Sequence, residues 1–212
     1  MAAVTNPEVV DLHFALRGRA IPRDYADALW AALQAVLPWL AQDEQAGVHP
    51  LYGLSDGGGE SYLSRRSRLV LRLPRQRLAA AMELIGAQLM LGGHKIEVGE
   101  ASAKELADMP VIYAKFVTFA APDPAGVPID EQAFSAICQA QFATLGLRPK
   151  FIFGKPQRAL TATGLLSGFS LLLSGLDAAA NLRLQERGLG LERKRGCGIF
   201  VPHKSFAAAA LE

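Results

Sequence analysis

One succession of hydrophobic periods runs through this chain twice, and few folds accept it. Residues 10–16 (Val-Asp-Leu-His-Phe-Ala-Leu) alternate as a strand does until Gly18 and Pro22 break the pattern. Residues 23–40 then place Tyr25, Leu29, Leu33, Val36, Leu37 and Leu40 at helical spacing. A short strand is expected over 48–54, a flexible loop at Gly57-Gly58-Gly59, and a strand over 63–73 ended by Pro74. A helix over 75–85 would set Leu78, Met82 and Ile85 on one face, and 88–98 reads as a hairpin or bent strand. The order is strand, helix, strand, strand, helix, strand, which is the ferredoxin-like unit.

Met109 and Pro110 restart the pattern. A strand is expected over 112–119, a loop over 122–128, and a helix over 129–145 with Phe134, Ile137, Cys138 and Leu145 along one side, interrupted by Gln141. Short strands follow over 150–154 and 158–163, then a longer apolar one over 165–173. Asp177 stands where it would cap a helix over 178–187, and 199–201 closes the series as a strand. The fold class is therefore α+β, a tandem ferredoxin-like arrangement (β-α-β-β-α-β twice), with domains at 1–104 and 105–206. Residues 207–212 read as a vector-derived tail. Such a fold leaves function open.

Charge is distributed unevenly although the net is only +2. Arg65, Arg66, Arg68, Arg72, Arg75 and Arg77 occupy residues 61–77 without an acid, and Arg148, Lys150, Lys155 and Arg158 form a second acid-free stretch. Residues 181–206 carry six basic side chains against Glu186 and Glu192. Should these stretches converge they make a face for phosphates; singly, they are ordinary solvated surface. Cys138 and Cys197 form no metal-binding spacing, so buried thiols in a reducing cytoplasm are expected, with no metal and no cofactor. No signal peptide is expected, and no apolar run reaches the roughly 18 residues that span a membrane.

The segment 188–198, Gly-Leu-Gly-Leu-Glu-Arg-Lys-Arg-Gly-Cys-Gly, follows an expected helix and precedes the final strand. Gly188, Gly190, Gly196 and Gly198 permit bends and close approach, while Arg193, Lys194 and Arg195 stand at the tip. Successive N–H groups in such a loop can cup a phosphate. A nucleotide loop is a poor fit, since GxGxxG and GK[ST] are both absent. A basic hairpin turn is the plain alternative.

This loop resembles the C-terminal glycine-rich motif of the repeat-associated mystery protein (RAMP) superfamily. With Asn181-Leu-Arg-Leu-Gln-Glu186 before it and Phe200-Val-Pro after it, the region is similar to the CRISPR repeat-RNA processing endoribonucleases, in particular a small myxobacterial-type subfamily. Gly47-Val-His-Pro50 and Ser64-Arg-Arg-Ser-Arg-Leu-Val-Leu-Arg-Leu-Pro74 also look like that subfamily. The resemblance covers most of residues 8–203 and implies an enzyme that cuts repeat RNA without metal. In that chemistry the 2′-hydroxyl attacks the adjacent phosphate, giving a 2′,3′-cyclic phosphate and a 5′-hydroxyl. The implied partners are CRISPR repeat RNA, gripped as a stem-loop, and other CRISPR effector-complex subunits; no DNA or membrane partner is implied.

The reaction needs a base, a cation for the phosphorane and an acid for the leaving oxygen, and histidine suits the first or last role. His49, between Gly47 and Pro50 past the first helix, stands where many members of the family have theirs; the plain alternative is a turn histidine bonded to a carbonyl. His13 shares a strand face with Asp11 and is either a satisfied core residue or surface; His94 and His203 read as turn and terminal residues. Arg65, Arg66 and Arg68 are the cation candidates, the choice among them depending on strand register, with Tyr52 and Ser64 as hydroxyl helpers. Lys150, Lys155 and Arg158, with Arg148, would grip RNA beside Arg193, Lys194 and Arg195. Tyr62, Tyr113, Phe151 and Phe153 could stack on bases, though aromatic residues at strand spacing are more often core. Two other readings compete: a non-catalytic RNA-binding RAMP subunit, which a buried His49 would favour, and an unrelated ferredoxin-like ligand-binding protein, which would lack salt-dependent RNA affinity.

Overall fold

Leu12, Phe14 and Leu16 turn to one side of strand β1 (Val9–Arg17), and the sheet built on that choice buries its leucines beneath a helix. The computed structural model describes residues 8–55 and 58–203; part of the Gly57-Gly58-Gly59 run and the tail at 207–212 lie outside the described residues. The chain divides into two units, Glu8–Glu105 with Lys194–Gly196, and Leu106–Arg193 with 197–203.

In the first unit β1 is followed by β2 (Ala20–Pro22), α1 (Ala26–Val36), β3 (Gly47–Val48), β4 (Leu54–Ser55), β5 (Glu60–Tyr62), β6 (Arg68–Pro74), α2 (Leu78–Ala81), β7 (Gln88–Leu91) and β8 (His94–Glu105). Five strands form one sheet in the order β3-β6-β1-β8-β7, and β2-β5-β4 form a small separate sheet. Leu69, Leu71 and Leu73 of β6 join the β1 apolar face against Leu29, Leu33, Leu37 and Leu40. Helix α1 stops at Val36, and Pro38 opens a separate 3₁₀ turn, Pro38–Ala41, because proline cannot donate to a continuing helix.

Three expected elements differ. The strand anticipated over 48–54 is split into β3 and β4. The strand anticipated over 63–73 begins only at Arg68, because a turn precedes it: Ser67 N donates to Ser64 O at 3.0 Å, and Ser67 Oγ accepts from Ser64 N at 3.0 Å. The helix over 75–85 is one α turn flanked by 3₁₀ turns, whose three-residue repeat rotates Ala81 and Leu84 inward and leaves Met82 and Ile85 exposed.

The second unit runs β9 (Val111–Val117), α3 (Glu131–Thr144), β10 (Lys150–Thr161), β11 (Gly164–Ser174), α4 (Ala178–Arg187) and β12 (Phe200–Pro202), with sheet order β10-β11-β9-β12. The two short strands expected over 150–163 are one strand, with a register shift between Phe153 and Pro156. Both helices are capped as carboxylates cap orphan N–H groups: Asp130 accepts from Ala133 N at 2.8 Å and Asp177 from Ala180 N at 2.7 Å. The buried stripe of α3 is Phe134, Cys138 and Phe142, with Leu145 exposed beyond the helix end. In both units the second, third, first and fourth strands of the β-α-β-β-α-β series lie side by side, which is the ferredoxin-like arrangement.

Candidate active site

Alternation along β1 sends Asp11 and His13 to the side opposite Leu12 and Phe14. Register then fixes their neighbours: Asp11 lies opposite Arg72 on β6 and Lys104 on β8, and His13 opposite Val70 and Ser102. His49 extends the short β3 pairing by one residue, its N–H donating to Val70 O at 2.9 Å. Strand partners share a face, so His49, Val70 and His13 form one row across the sheet, and Arg72, Asp11 and Lys104 the next.

Three of these side chains form one ionic group. Arg72 grips Asp11 with two parallel bonds, Nε to Oδ1 and Nη2 to Oδ2, each 2.7 Å. His49 Nε2 lies 3.0 Å from Asp11 Oδ1. Arg72 is 0% exposed and His49 8%. Burial alone would raise the Asp11 carboxyl; the charges of His49 and Arg72, and hydrogen bonds from both, override it and hold the group well below the usual carboxylate range. A buried carboxylate kept ionised against one ring nitrogen fixes both the orientation of that ring and the proton on Nε2.

His13 stands beside this group, half-buried. Burial, with the charges of Lys104, His49 and Arg68, lowers its proton affinity below the ordinary imidazole range against a smaller opposing pull from Asp11. Arg68, Ser102 and Lys104 around it are exposed, so the row opens to solvent on this side.

The other expected site residues fall elsewhere. Arg65 and Arg66 are exposed on the turn before β6, and Arg68 at its first position directs Nη1 to the carbonyls of Arg65 and Ser67 at 2.7 and 2.8 Å. Tyr52 is 56% exposed, its carbonyl accepting from Ser67 Oγ. Ser64 Oγ accepts from Arg66 N within the same turn. Lys150, Lys155 and Arg158 are exposed along β10, an edge strand, and Arg148 is exposed just before it. Phe151 and Phe153 pack inward, their ring centroids 5.6 Å from Phe142 and 5.4 Å from Phe169 respectively.

The glycine loop is a folded structure that engages several of its own donors. Leu189 N donates to Gly198 O, Leu191 N to Thr118 O, Cys197 N to Glu192 O and Gly198 N to Phe116 O, so these N–H groups do not form the phosphate cup anticipated for them. Gly190 (φ 82°) and Gly198 (φ 68°) are left-handed, and a Cβ on either would collide with the carbonyl of Thr118 or Leu189. Gly188 (φ 73°) ends α4, and Gly196 packs beside Pro50. The basic trio forms a 3₁₀ turn: Arg193 donates to Glu186 O, Lys194 Nζ to the carbonyls of Asp43 and Ala46, and Arg195 Nε to Asp27.

Both cysteines are buried, and burial pushes the Cys138 thiol up to about 12. Among the described residues no group of three or more His, Cys, Asp or Glu is placed to hold a metal ion, and no helix is long and apolar enough to cross a membrane.

Sequence reasoning missed Asp11 and Arg72. A signal existed, since each is a charge set between apolar residues in the interior of a strand, of opposite sign to the other. What the sequence lacked was the register that sets them face to face.

Comparison with known proteins gives a consistent picture. The family model described as Cas6 Crispr matches residues 10–205. The CRISPR-associated endonuclease Cas6 of Myxococcus xanthus (strain DK1622) is 35% identical over 194 residues, 91% of this chain and 81% of that protein. The product of a Cas6-related gene from Pyrococcus furiosus superposes with a TM-score of 0.63 at 14% identity, over 93% of this chain and 99% of that one. Thermus thermophilus Cse3, bound to an RNA representing a pre-cleavage complex, gives a TM-score of 0.53 at 13% identity, over 91% and 98% of the two chains. At these identities the two structures speak to the fold alone.

Proposed function

This chain belongs to the Cas6 family, and we propose that it is an endoribonuclease cutting CRISPR repeat RNA without a metal ion, by attack of a 2′-hydroxyl on the adjacent phosphate. The observation that carries the reading is the His49–Asp11–Arg72 group. Taking an arginine and a carboxylate out of water is costly, and a hydrogen-bonded histidine in a turn needs neither. Perturbed ionic clusters of this kind gather where protons are moved.

In this reading His49 exchanges a proton with the RNA, Asp11 holds its ring, and Arg72 keeps Asp11 ionised. Arg68, with Arg66 on the adjoining turn, supplies positive charge to the phosphorane, and the exposed Tyr52 lies close in sequence as a hydroxyl donor. Arg65 and the β10 residues Lys150, Lys155 and Arg158 contact phosphates of a repeat stem-loop. The loop glycines Gly188, Gly190, Gly196 and Gly198 act through the shape they give the segment carrying Arg193, Lys194 and Arg195.

A second reading, an RNA-binding RAMP subunit without cutting activity that sits in a CRISPR effector complex, is favoured by one observation, the 8% exposure of His49. One experiment separates the two. Wild-type protein and His49→Ala are incubated with cognate repeat RNA in EDTA, and the product ends are analysed. The nuclease reading expects wild-type cutting with 2′,3′-cyclic phosphate ends, and a variant that binds RNA but cuts about 10²- to 10⁴-fold more slowly. Cutting that stops under chelation overturns the metal-free chemistry, and a His49→Ala protein cutting at the wild-type rate overturns the site.

A further inference from the structure

The reaction above needs two proton transfers at opposite sides of one phosphorus, and His49 supplies one group. The same row of the sheet carries a second. His49 bonds to Val70 by its N–H, and Val70 is registered with His13. Two strand spacings separate the histidine backbones, roughly 10 Å, and strand partners project to the same side. Half-buried Val70 is the floor between them.

The surroundings of the two rings differ in sign. His49 bonds through Nε2 to a carboxylate, an acceptor that keeps a hydrogen on that nitrogen. His13 makes no hydrogen bond through its ring among the described residues. The groups that face it are Lys104 from β8, Arg68 from β6, His49 past β3, and Asp11 from its own strand, so cations outnumber the one carboxylate. A ring so placed is neutral near neutral pH and ready to accept a proton. Lys104 and Arg68 are exposed beside it, so a phosphate drawn to them would lie over Val70 with a histidine at each end.

Resting on the endoribonuclease reading, we propose that His13 is a second catalytic residue, the base to which His49 is the acid. His13 takes the proton of the attacking 2′-hydroxyl as the 2′-oxygen–phosphorus bond forms. The phosphorus–5′-oxygen bond breaks, its electron pair goes to the 5′-oxygen, and His49 delivers the proton that makes it a hydroxyl. Exchange with water then returns His13 to its neutral form and His49 to its protonated form, so each turnover is balanced. Val70 spaces the pair, and Lys104 and Arg68 meet the charge on the non-bridging oxygens.

The test uses the full chain and two versions of the cognate repeat RNA, one natural and one with sulfur replacing the bridging 5′-oxygen at the mapped cleavage position. A thiolate leaves without a proton, so loss of the acid is rescued by sulfur and loss of the base is not. His13→Ala and His13→Gln are expected to cut both RNAs about 10²-fold or more slowly than wild type, at unchanged RNA affinity. His49→Ala is expected to be slow on natural RNA and to recover on the sulfur RNA. His13→Gln keeps the side chain's size and serves if the alanine variant does not fold. His13 variants cutting natural RNA within about threefold of wild type, while His49→Ala stays inactive, overturn the role of His13 and leave the His49 site standing. Rescue of the His13 variants by sulfur overturns the assignment of base and acid. Full activity of His49→Ala overturns instead the reading on which the inference rests.

Discussion

Arg72 and Asp11 face each other across neighbouring strands through two bonds of 2.7 Å, with the arginine wholly buried. Removing one member of such a pair takes the bidentate partner from a charge held out of water, so Asp11→Ala or Arg72→Ala should each destabilise the protein by about 3–5 kcal/mol. Replacing both with apolar residues of similar size, Asp11→Leu with Arg72→Met, removes that charge and should restore much of that stability. RNA cutting should not return, because His49 then has no carboxylate. Thermal unfolding and cleavage assays on the three variants check this, and a double variant that regains both properties would show that the pair is only structural.

Acid should destabilise the fold through two groups of the same sign. The Asp11 carboxyl is depressed from its ordinary value near 3.8, so its contribution is present above that value and lost as pH falls below it. His13 has a proton affinity lowered from an ordinary value near 6.5, so the folded state resists a proton that the unfolded chain accepts, and stability declines as pH falls below 6.5. His13→Gln removes the second effect alone. The melting temperature of this variant, relative to wild type, should rise steadily as pH is lowered from 7 to 5. A difference that stays constant over that interval would sink the expectation.

The fold was legible because the two hydrophobic periods are written locally. Asp177 announced its cap, and Phe134 and Cys138 their buried stripe. The site was legible only in part. His49 could be picked out by its place after the first helix, whereas its partner Asp11 is 38 residues away and reaches it by strand pairing. Arg65 and Arg66 are neighbours in sequence, yet the Ser64–Ser67 turn holds them ahead of β6 and leaves Arg72, inside that strand, as the arginine against the carboxylate. Which donors the glycine loop spends was equally illegible, since two of their acceptors, the carbonyls of Thr118 and Phe116, lie far back in the chain.

Edge strand β10 presents Lys150, Lys155 and Arg158 to solvent, with Ile152 and Leu160 exposed among them. Each cation that neutralises a phosphate releases counterions, so binding of repeat RNA should weaken with salt in proportion to their number. A Lys150→Ala/Lys155→Ala/Arg158→Ala protein should fold normally and bind more weakly at low salt. Its slope of log affinity against log salt should be shallower by about 2–3, one unit or slightly less per lost contact. An unchanged slope would place the RNA away from this strand.

Lys194 and Arg195 are expected to behave differently, because their charges are already engaged within the first unit. Lys194 Nζ reaches the carbonyls of Asp43 and Ala46, and Arg195 pairs with Asp27. The Lys194 bonds close the segment after α1, whose own turn uses Asp43 Oδ1 as acceptor for Gln45 N and Ala46 N. Charged hydrogen bonds to otherwise buried carbonyls contribute about 1.5–3 kcal/mol. Lys194→Ala should therefore lower the melting temperature by several degrees while leaving the salt slope for RNA nearly as it is. Lys194→Met, which keeps the apolar stem but not the donors, should show the same loss and assign it to the hydrogen bonds. If Lys194→Ala instead melts like wild type and flattens the salt slope by about one unit, this lysine serves RNA rather than the fold.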